Sequence, residues 1–499
     1  MSVIVRFKTY IAKYFQHALV YLKGLSQPAT THRKLFFYFS KALGAIFFIA
    51  FLSLAVQFNG LYSSEGILPI NSTLNYVNQT IDWIKLPHFF MTSADSYLWA
   101  MLALAMGASL SLILGFLPLI STVICWMSYV SFVNLGSVFM SFQWDVLLLE
   151  VAFFSAIAMP TCIKWTATSS YCPPKLFILL ARVCCFRLLF FSGLVKLLSA
   201  DPLWAKLTAL NVHYFTQPLP HMLSWVANLL PSILDKLCVI IMFVIELVVP
   251  FLLFAAYKIR KFAALSIIGL MIIIMLTGNY CFFNLLTIIV ACLCFNDSIL
   301  PVANKPIAKM FYYNGTRFRV AILSFILIIA VSTELVRFVR VPVMSSLLTK
   351  LQGFHIASTY GLFASMTTVR NELEIWASQD KQNWKTYEFK YKPNKSTDKP
   401  KWVMPHQPRL DWQCWFVSLR AYNPNSWILN LADRLFQNKN AVNKLFAKVP
   451  FERPPKYLVF VLRNYTFSTP SQLRKENKWW QVGEPLQYSP VFENPYLSN

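Results

Sequence analysis

The chain has 499 residues, 57% of them hydrophobic and 13% charged, with a mean hydropathy of +0.50; a soluble globular protein carries about twice that charged fraction, so the composition excludes one and specifies a polytopic membrane protein. Its 45 Lys and Arg against 21 Asp and Glu give a net charge of +24. The cations cluster at the ends of apolar runs, and no basic helix is interleaved with stacking aromatics, which makes them signals of membrane orientation and excludes nucleic acid as a partner.

Residues 1–34 carry Arg6, Lys8, Lys13, Lys23, Arg33 and Lys34 without an acidic residue, around Val3, Ile4, Phe7, Ile11, Tyr14 and Phe15 at near-helical spacing. This basic amphipathic segment predicts a helix on an anionic leaflet, so membrane lipids are expected partners. No cleavable signal peptide is expected, because the first long apolar run starts only at Leu35. A spanning helix needs about 20 apolar residues, and a transmembrane bundle over 35–339 is predicted from nine runs, at 35–57, 97–116, 118–141, 145–163, 176–199, 237–257, 262–277, 281–296 and 320–338. The seventh and eighth are one run broken at Gly278-Asn279 and are either two spans or one kinked helix.

Charge placement argues for two. With the N-terminus cytoplasmic, the loops after spans four, six and eight hold Lys164 and Lys175, then Lys258, Arg260 and Lys261, then Lys305, Lys309, Arg317 and Arg319. The opposite loops hold only Lys85, Lys206 and Lys236. Nine crossings satisfy the positive-inside rule and put residues 340–499 on the non-cytoplasmic side. In the outer loop 58–96, the patches Ile67 to Ile70 and Ile81 to Ile84 are too short to span and are expected to rest at the interface.

The ionisable residues inside these runs are candidate functional sites, the plainer reading being ion pairs that pin helices together. Asp145 enters span four and Lys196 lies near the outer end of span five, so these two are expected to pair. Glu150, Arg187 and Glu246 fall deeper, which predicts one acid-base cluster across spans four, five and six. Asp201, counted with the buried polar cluster, and then the loop candidates His213, Tyr214 and Gln217 follow in a Pro-broken, aromatic segment near 201–232, expected to be re-entrant or interfacial because irregular backbone at membrane depth survives only against protein or a wet cavity. Its aromatic stretch from Trp204 to Trp225 is a candidate client surface. Asn279 and Asn284 flank the helix break, where side-chain amides can satisfy freed backbone groups.

After residue 340 the apolar runs shorten and a mixed α+β domain with a sheet is expected. Glu372 to Lys392 reads as a β-hairpin, Pro405 to Leu419 and Ser426 to Phe446 as helical, and Tyr457 to Thr466 as a strand. His406 and Asp411 are candidates to cap and orient a helix under the sheet, and Arg409 with Asp411 for a local salt bridge. Most of the ten cysteines lie in or beside apolar runs, without disulfide or zinc-ligand spacing, so neither a metal nor a cofactor is expected. No nucleophile elbow, Walker loop, HExxH or Gly-rich dinucleotide turn accompanies the buried charges, which argues against catalysis.

QWDVLLLEVAFFS (143–155), FRLLFFSGLVKLLSADPLWAKLTALNVHYFTQPLP (186–220), TGNYCFFNLLTIIVACLCFND (277–297), TTVRNELEIWASQDKQNWKTYEFKYKP (367–393) and PHQPRLDWQCWF (405–416) together resemble the lipase maturation factor family. The resemblance implies a membrane folding factor whose animal members reside in the endoplasmic reticulum and assist assembly of dimeric secreted lipases, with the C-terminal domain in the lumen. A lipase-like client protein on the non-cytoplasmic side is the partner it implies. The membrane part also resembles, distantly, that of vitamin K-dependent carboxylase-type enzymes, so the alternative is an enzyme or transporter acting on a lipid-like or quinone-like molecule. The ending NPYLSN is no KDEL-type signal, and a Lys/Asn-rich composition also suits a bacterial member in the inner membrane.

Overall fold

The computed structural model of the protein describes residues 24–300, 316–339 and 342–497; the amphipathic helix expected in segment 1–34 lies, up to residue 23, outside them. Nine helices follow in the bundle: α1 Arg33–Ala55, α2 Asp95–Leu114, α3 Pro118–Leu135, α4 Gln143–Ala158, α5 Lys175–Leu198, α6 Ser232–Leu247, α7 Tyr257–Thr277, α8 Phe283–Cys292 and α9 Thr316–Leu335. Their ends follow local chemistry. Asp297 accepts the backbone N–H groups of Lys34 and Leu35 at 3.1 and 2.9 Å, placing an anion at the positive end of α1. A left-handed Gly115 closes α2, and Pro118 opens α3, where its missing N–H costs nothing. Six of the nine, α1, α2, α3, α5, α7 and α9, are long and apolar enough to cross a membrane; α4, α6 and α8 are shorter.

The helices alternate in direction. One end of the bundle is tied by Arg33 on the Ala167 and Ser169 carbonyls, by the bridge between Phe116 and Lys164, by Arg319 on the Met159 carbonyl, and by Arg260 Nε on the Cys294 carbonyl at 3.0 Å. The last contact joins the start of α7 to the region just past α8, so the broken apolar run folds back into two antiparallel helices. The C-terminal domain packs on the other end, which carries fewer cations.

Residues 201–232 form three short helices, Pro202–Ala205, Leu210–Thr216 and Met222–Ala227. Their irregular backbone is satisfied by side-chain donors from the C-terminal domain and from the break between α7 and α8. Arg370 donates to the carbonyls of Phe215 and Pro218 at 3.0 and 2.9 Å and to that of Gln217, Trp415 Nε1 donates to Thr216 at 2.8 Å, and Asn279 Nδ2 to Leu219 at 2.9 Å. Backbone too irregular for lipid is thereby buried against protein.

The C-terminal domain is built on two long antiparallel strands, β1 Asn371–Ser378 and β5 Tyr457–Phe467, with Ile375 opposite Phe460 and Leu373 opposite Leu462. Strand β2 Trp384–Thr386 returns along β1 as the hairpin read from the sequence, while β6 Trp480–Val482, β7 Leu486–Gln487 and β8 Phe492–Glu493 pair with successive parts of β5. Strands β3 Glu388–Phe389 and β4 Phe446–Lys448 form a separate pair. Helix α10 Pro342–Leu351 precedes the sheet, α11 Arg409–Ser418 packs on β1, and α12 Ile428–Phe436 lies beyond it.

Two segments depart from their expected form. The helical reading of 426–446 ends early, because after α12 and the short helix Asn440–Asn443 the chain turns extended at Phe446 to pair with Phe389. The patch around Ile67 does not rest at an interface: Ile67 and Ile70 have no exposure, and Arg434 of α12 donates to the adjacent Gly66 carbonyl at 3.0 Å.

Candidate functional site

Asp145 stands in the first turn of α4 and Arg409 opens α11, and neither has measurable exposure. Arg409 grips both carboxylate oxygens at 3.0 and 3.1 Å, a bidentate geometry, and the Tyr129 hydroxyl donates to the same carboxylate. The start of α11 has no side-chain cap of its own. Instead Gln57, just past α1, accepts the Arg409 backbone N–H at 2.8 Å and donates to the Gln407 carbonyl at 2.8 Å, while Ser53 Oγ accepts from Gln407 N at 2.9 Å. His406 Nδ1 lies 2.9 Å from the same Ser53 hydroxyl. Burial, with the Arg409 and Lys390 charges behind it, lowers the His406 pKa to about 4.

A second cluster centres on Arg187 of α5. Its Nη1 meets Glu150 of α4 at 2.6 Å, its Nε meets Glu334 of α9 at 3.3 Å, and Nη2 donates to the Ser358 carbonyl. Glu150 uses its other oxygen to accept from Ser358 N at 2.9 Å and the Tyr360 hydroxyl at 2.8 Å. Three helices and the segment that leaves the bundle are thus joined through one guanidinium.

The third pair is Lys196 of α5 with Glu246 of α6, at 2.6 Å and under the ring of Trp204 at 5.6 Å. Asp201 accepts from Leu203 N at 2.8 Å, capping the first short helix, and from Met366 N at 2.6 Å. Gln217 donates to the Thr277 carbonyl at 2.7 Å and accepts from Tyr280 at 2.9 Å, and the same Tyr280 hydroxyl lies 3.0 Å from His213 Nε2. Tyr214 is buried beside Trp225, Tyr465 and Trp480. At the helix break, Asn279 clamps the C-terminal domain: its Oδ1 accepts from Val403 N and Met404 N at 2.8 and 3.1 Å, and its Nδ2 donates to Lys401 O at 2.9 Å. Asn284, the second residue of α8, is 1% exposed, and neither of its amide atoms finds a partner. Each such group left unpaired costs about 1–3 kcal/mol.

Several predicted pairings do not form. Asp145 does not meet Lys196, because Arg409 reaches Asp145 first and Glu246 faces Lys196 across α5 and α6. The single acid-base cluster is instead three separate ones, Asp145 with Arg409, Arg187 with Glu150 and Glu334, and Lys196 with Glu246. Arg409 and Asp411 make no salt bridge and Asp411 does not cap α11. Its Oδ1 accepts the backbone N–H groups of Tyr391 and Lys392, each at 3.0 Å, which orients α11 against the hairpin, and burial raises its pKa. Trp204 and Trp225 are buried under the C-terminal domain, their indole nitrogens on the Phe363 and Ser468 carbonyls at 3.1 and 3.0 Å, so these two rings are not open to a client.

The sequence reading missed Glu334, although a lone acid in an apolar run was a visible signal. It also missed Arg370, which besides holding 215–218 pairs with Glu372, itself 3.0 Å from Lys392. Burial pushes the Glu372 carboxyl up, but the Arg370 and Lys392 charges outweigh it and hold it below its usual value. No local pattern in TTVRNELEI announces that role.

The chemistry of these groups is that of locks. Both oxygens of Asp145 and of Glu150 are taken by guanidinium, hydroxyl or amide donors, so neither is free to act as a base. Among the described residues, no group of three His, Cys, Asp or Glu is arranged to hold a metal.

Comparison with known proteins bears on the same two parts of the chain. Residues 33–302 match the family model described as the lipase maturation factor transmembrane domain, and 356–490 match the lipase maturation factor C-terminal domain. Similar proteins include lipase maturation factor 2 of Gallus gallus, 29% identical over 94% of this chain and 82% of that one. Lipase maturation factor 2 of Rattus norvegicus is 30% identical over 89% and 80%, and lipase maturation factor 1 of Mus musculus 29% over 88% and 84%. No solved structure matches.

Proposed function

Because the chain belongs to the lipase maturation factor family, we propose that it is a multi-pass membrane maturation factor that assists folding and assembly of secreted lipases. The observation that carries the mechanism is the insertion of Arg409 into the bundle on Asp145. With the Asn279 clamp and the Arg370 contacts, it makes the C-terminal domain and the membrane helices one body. A domain held in that way presents its surface to a client at a fixed height and orientation, and so acts as a platform rather than as a tethered module. The cation-rich end of the bundle faces the cytoplasm, and the C-terminal domain faces the lumen of the endoplasmic reticulum, the compartment through which secreted lipases pass.

The test is complementation. In cells stripped of their own lipase maturation factors and expressing a secreted lipase, the chain is expected to restore lipase activity per molecule secreted. Arg409→Leu is expected to restore it poorly even where the variant accumulates. Secretion of fully active lipase without any maturation factor, or no restoration by the wild-type chain despite normal expression, contradicts this reading.

A further inference from the structure

One region of the junction is not explained by docking. A cavity of about 440 Å³ lies between α4, α5 and α8 of the bundle and α11 of the C-terminal domain, within the range of roughly 300–1,000 Å³ typical of small-molecule sites. Its walls are apolar and rich in rings: Phe142 stacks on Trp144 at 4.6 Å, and Trp144 meets Trp412 edge-on at 4.9 Å. Within this lining, five buried polar atoms lack a protein partner. They are both amide atoms of Asn284, Oε1 of Gln143, and the indole nitrogens of Trp144 and Trp412. Buried polar groups are nearly always paired. Unpaired donors and acceptors gathered around one apolar space fit a site whose ligand completes the pairing. The exposed lining residues Ser141, Ser365, Phe416 and Leu419 form the rim, so the cavity opens at the end of the bundle that carries the C-terminal domain.

The charges constrain the guest. Lys196 and Glu246 both line the cavity but neutralise each other at 2.6 Å, and no other lining residue is charged. An anionic head would therefore lose its water without gaining a counter-charge. The partnerless atoms of the lining residues are three N–H donors and two amide oxygens, the complement of ester carbonyls and hydroxyls. We propose that the cavity binds a neutral acyl lipid with an ester and hydroxyl head, an acylglycerol. Its ester carbonyl accepts from the indole N–H groups of Trp144 and Trp412, its hydroxyls pair with the Asn284 amide, and its chain lies along the ring-lined wall.

The test needs no lipase, so its outcome is separate from that of the maturation reading. The full chain is reconstituted in phosphatidylcholine vesicles containing a monoacylglycerol with a diazirine in its acyl chain, irradiated, and the labelled residues are read by peptide mass spectrometry. Labelling is expected within 280–284, 361–367 and 412–419, competed by unlabelled monooleoylglycerol and not by oleate. Asn284→Leu removes two unpaired atoms and no hydrogen bond within the protein; it is expected to cut this labelling about tenfold, the weight of one or two hydrogen bonds to a ligand, while the protein melts no lower than wild type. Ala364→Trp, which fills the cavity from its loop wall, is expected to abolish labelling. Labelling that both variants leave unchanged, that spreads over outer faces such as Ile272 and Ile273, or that oleate competes equally well, overturns the proposal.

Discussion

Arg409 shows how far a single residue can be read in advance. That it is charged and sits in a tryptophan-rich helix was plain in PRLDWQCW, and the nearest acid, Asp411, was the obvious partner. The true partner lies 264 residues away, and nothing local encodes it. What was legible was the need for partners: Asp145, Glu150, Arg187, Lys196 and Glu246 are buried and each is paired, whereas Asp201, expected in the same buried set, is half-buried at the start of a short helix. Removing one member of the Asp145 and Arg409 pair leaves its partner charged and out of water, so Arg409→Leu or Asp145→Leu is expected to lower unfolding stability by about 3–5 kcal/mol. The double replacement is expected to recover much of that, a difference a double-mutant cycle of melts in detergent measures.

The same scale gives a pH dependence. His406 has an ordinary value of 6.5 when unfolded and about 4 when buried against Ser53, near Tyr391 and the Arg409 and Lys390 charges. Between those values the unfolded chain binds the extra proton, so the stability His406 contributes is complete above pH 6.5 and is lost as pH falls towards 4. Melting temperatures of wild type and His406→Asn, compared at pH 7.5 and 5, are expected to show the smaller acid loss in the variant.

At the scale of elements, the sequence yielded most. Apolar run length located the nine helices because a helix that meets lipid and neighbours on all sides must be apolar all round; alternation around a turn located the hairpin, and a short β-branched and aromatic run located β5, which is buried on both faces over 458–461. Packing distances between elements were invisible. Gly193 of α5 lies so close to α6 that an added Cβ would meet Glu246 Cβ at 2.9 Å and Leu247 Cγ at 3.0 Å. Gly193→Leu is accordingly expected to push α6 away and break the contact of Lys196 with Glu246, lowering the melting temperature more than Gly269→Leu, where an added Cβ meets nothing within 4 Å on α7. At the break between α7 and α8, a Cβ on Gly278 would collide with Gln217 Oε1 at 2.1 Å. The glycine there lets the 201–232 segment approach the turn, and the run had been legible only as broken.

For the whole molecule, the division into bundle and C-terminal domain was readable from composition, but their union was not, since it rests on contacts between segments hundreds of residues apart. Three sets of contacts are prominent in it: Gln407 and Arg409 with Ser53, Gln57 and Asp145 near α1 and α4; Asn279 with 401–404; and Arg370 with 215–218. Those contacts are expected to hold without help from the covalent link. A protease site introduced between residues 340 and 341 allows the purified protein to be cut in detergent after folding. The two pieces are expected to stay together through size-exclusion chromatography, and to separate when Arg409→Leu and Asn279→Ala are combined. Pieces that part as soon as the wild-type chain is cut would show that the domain is merely tethered, contrary to the platform described here.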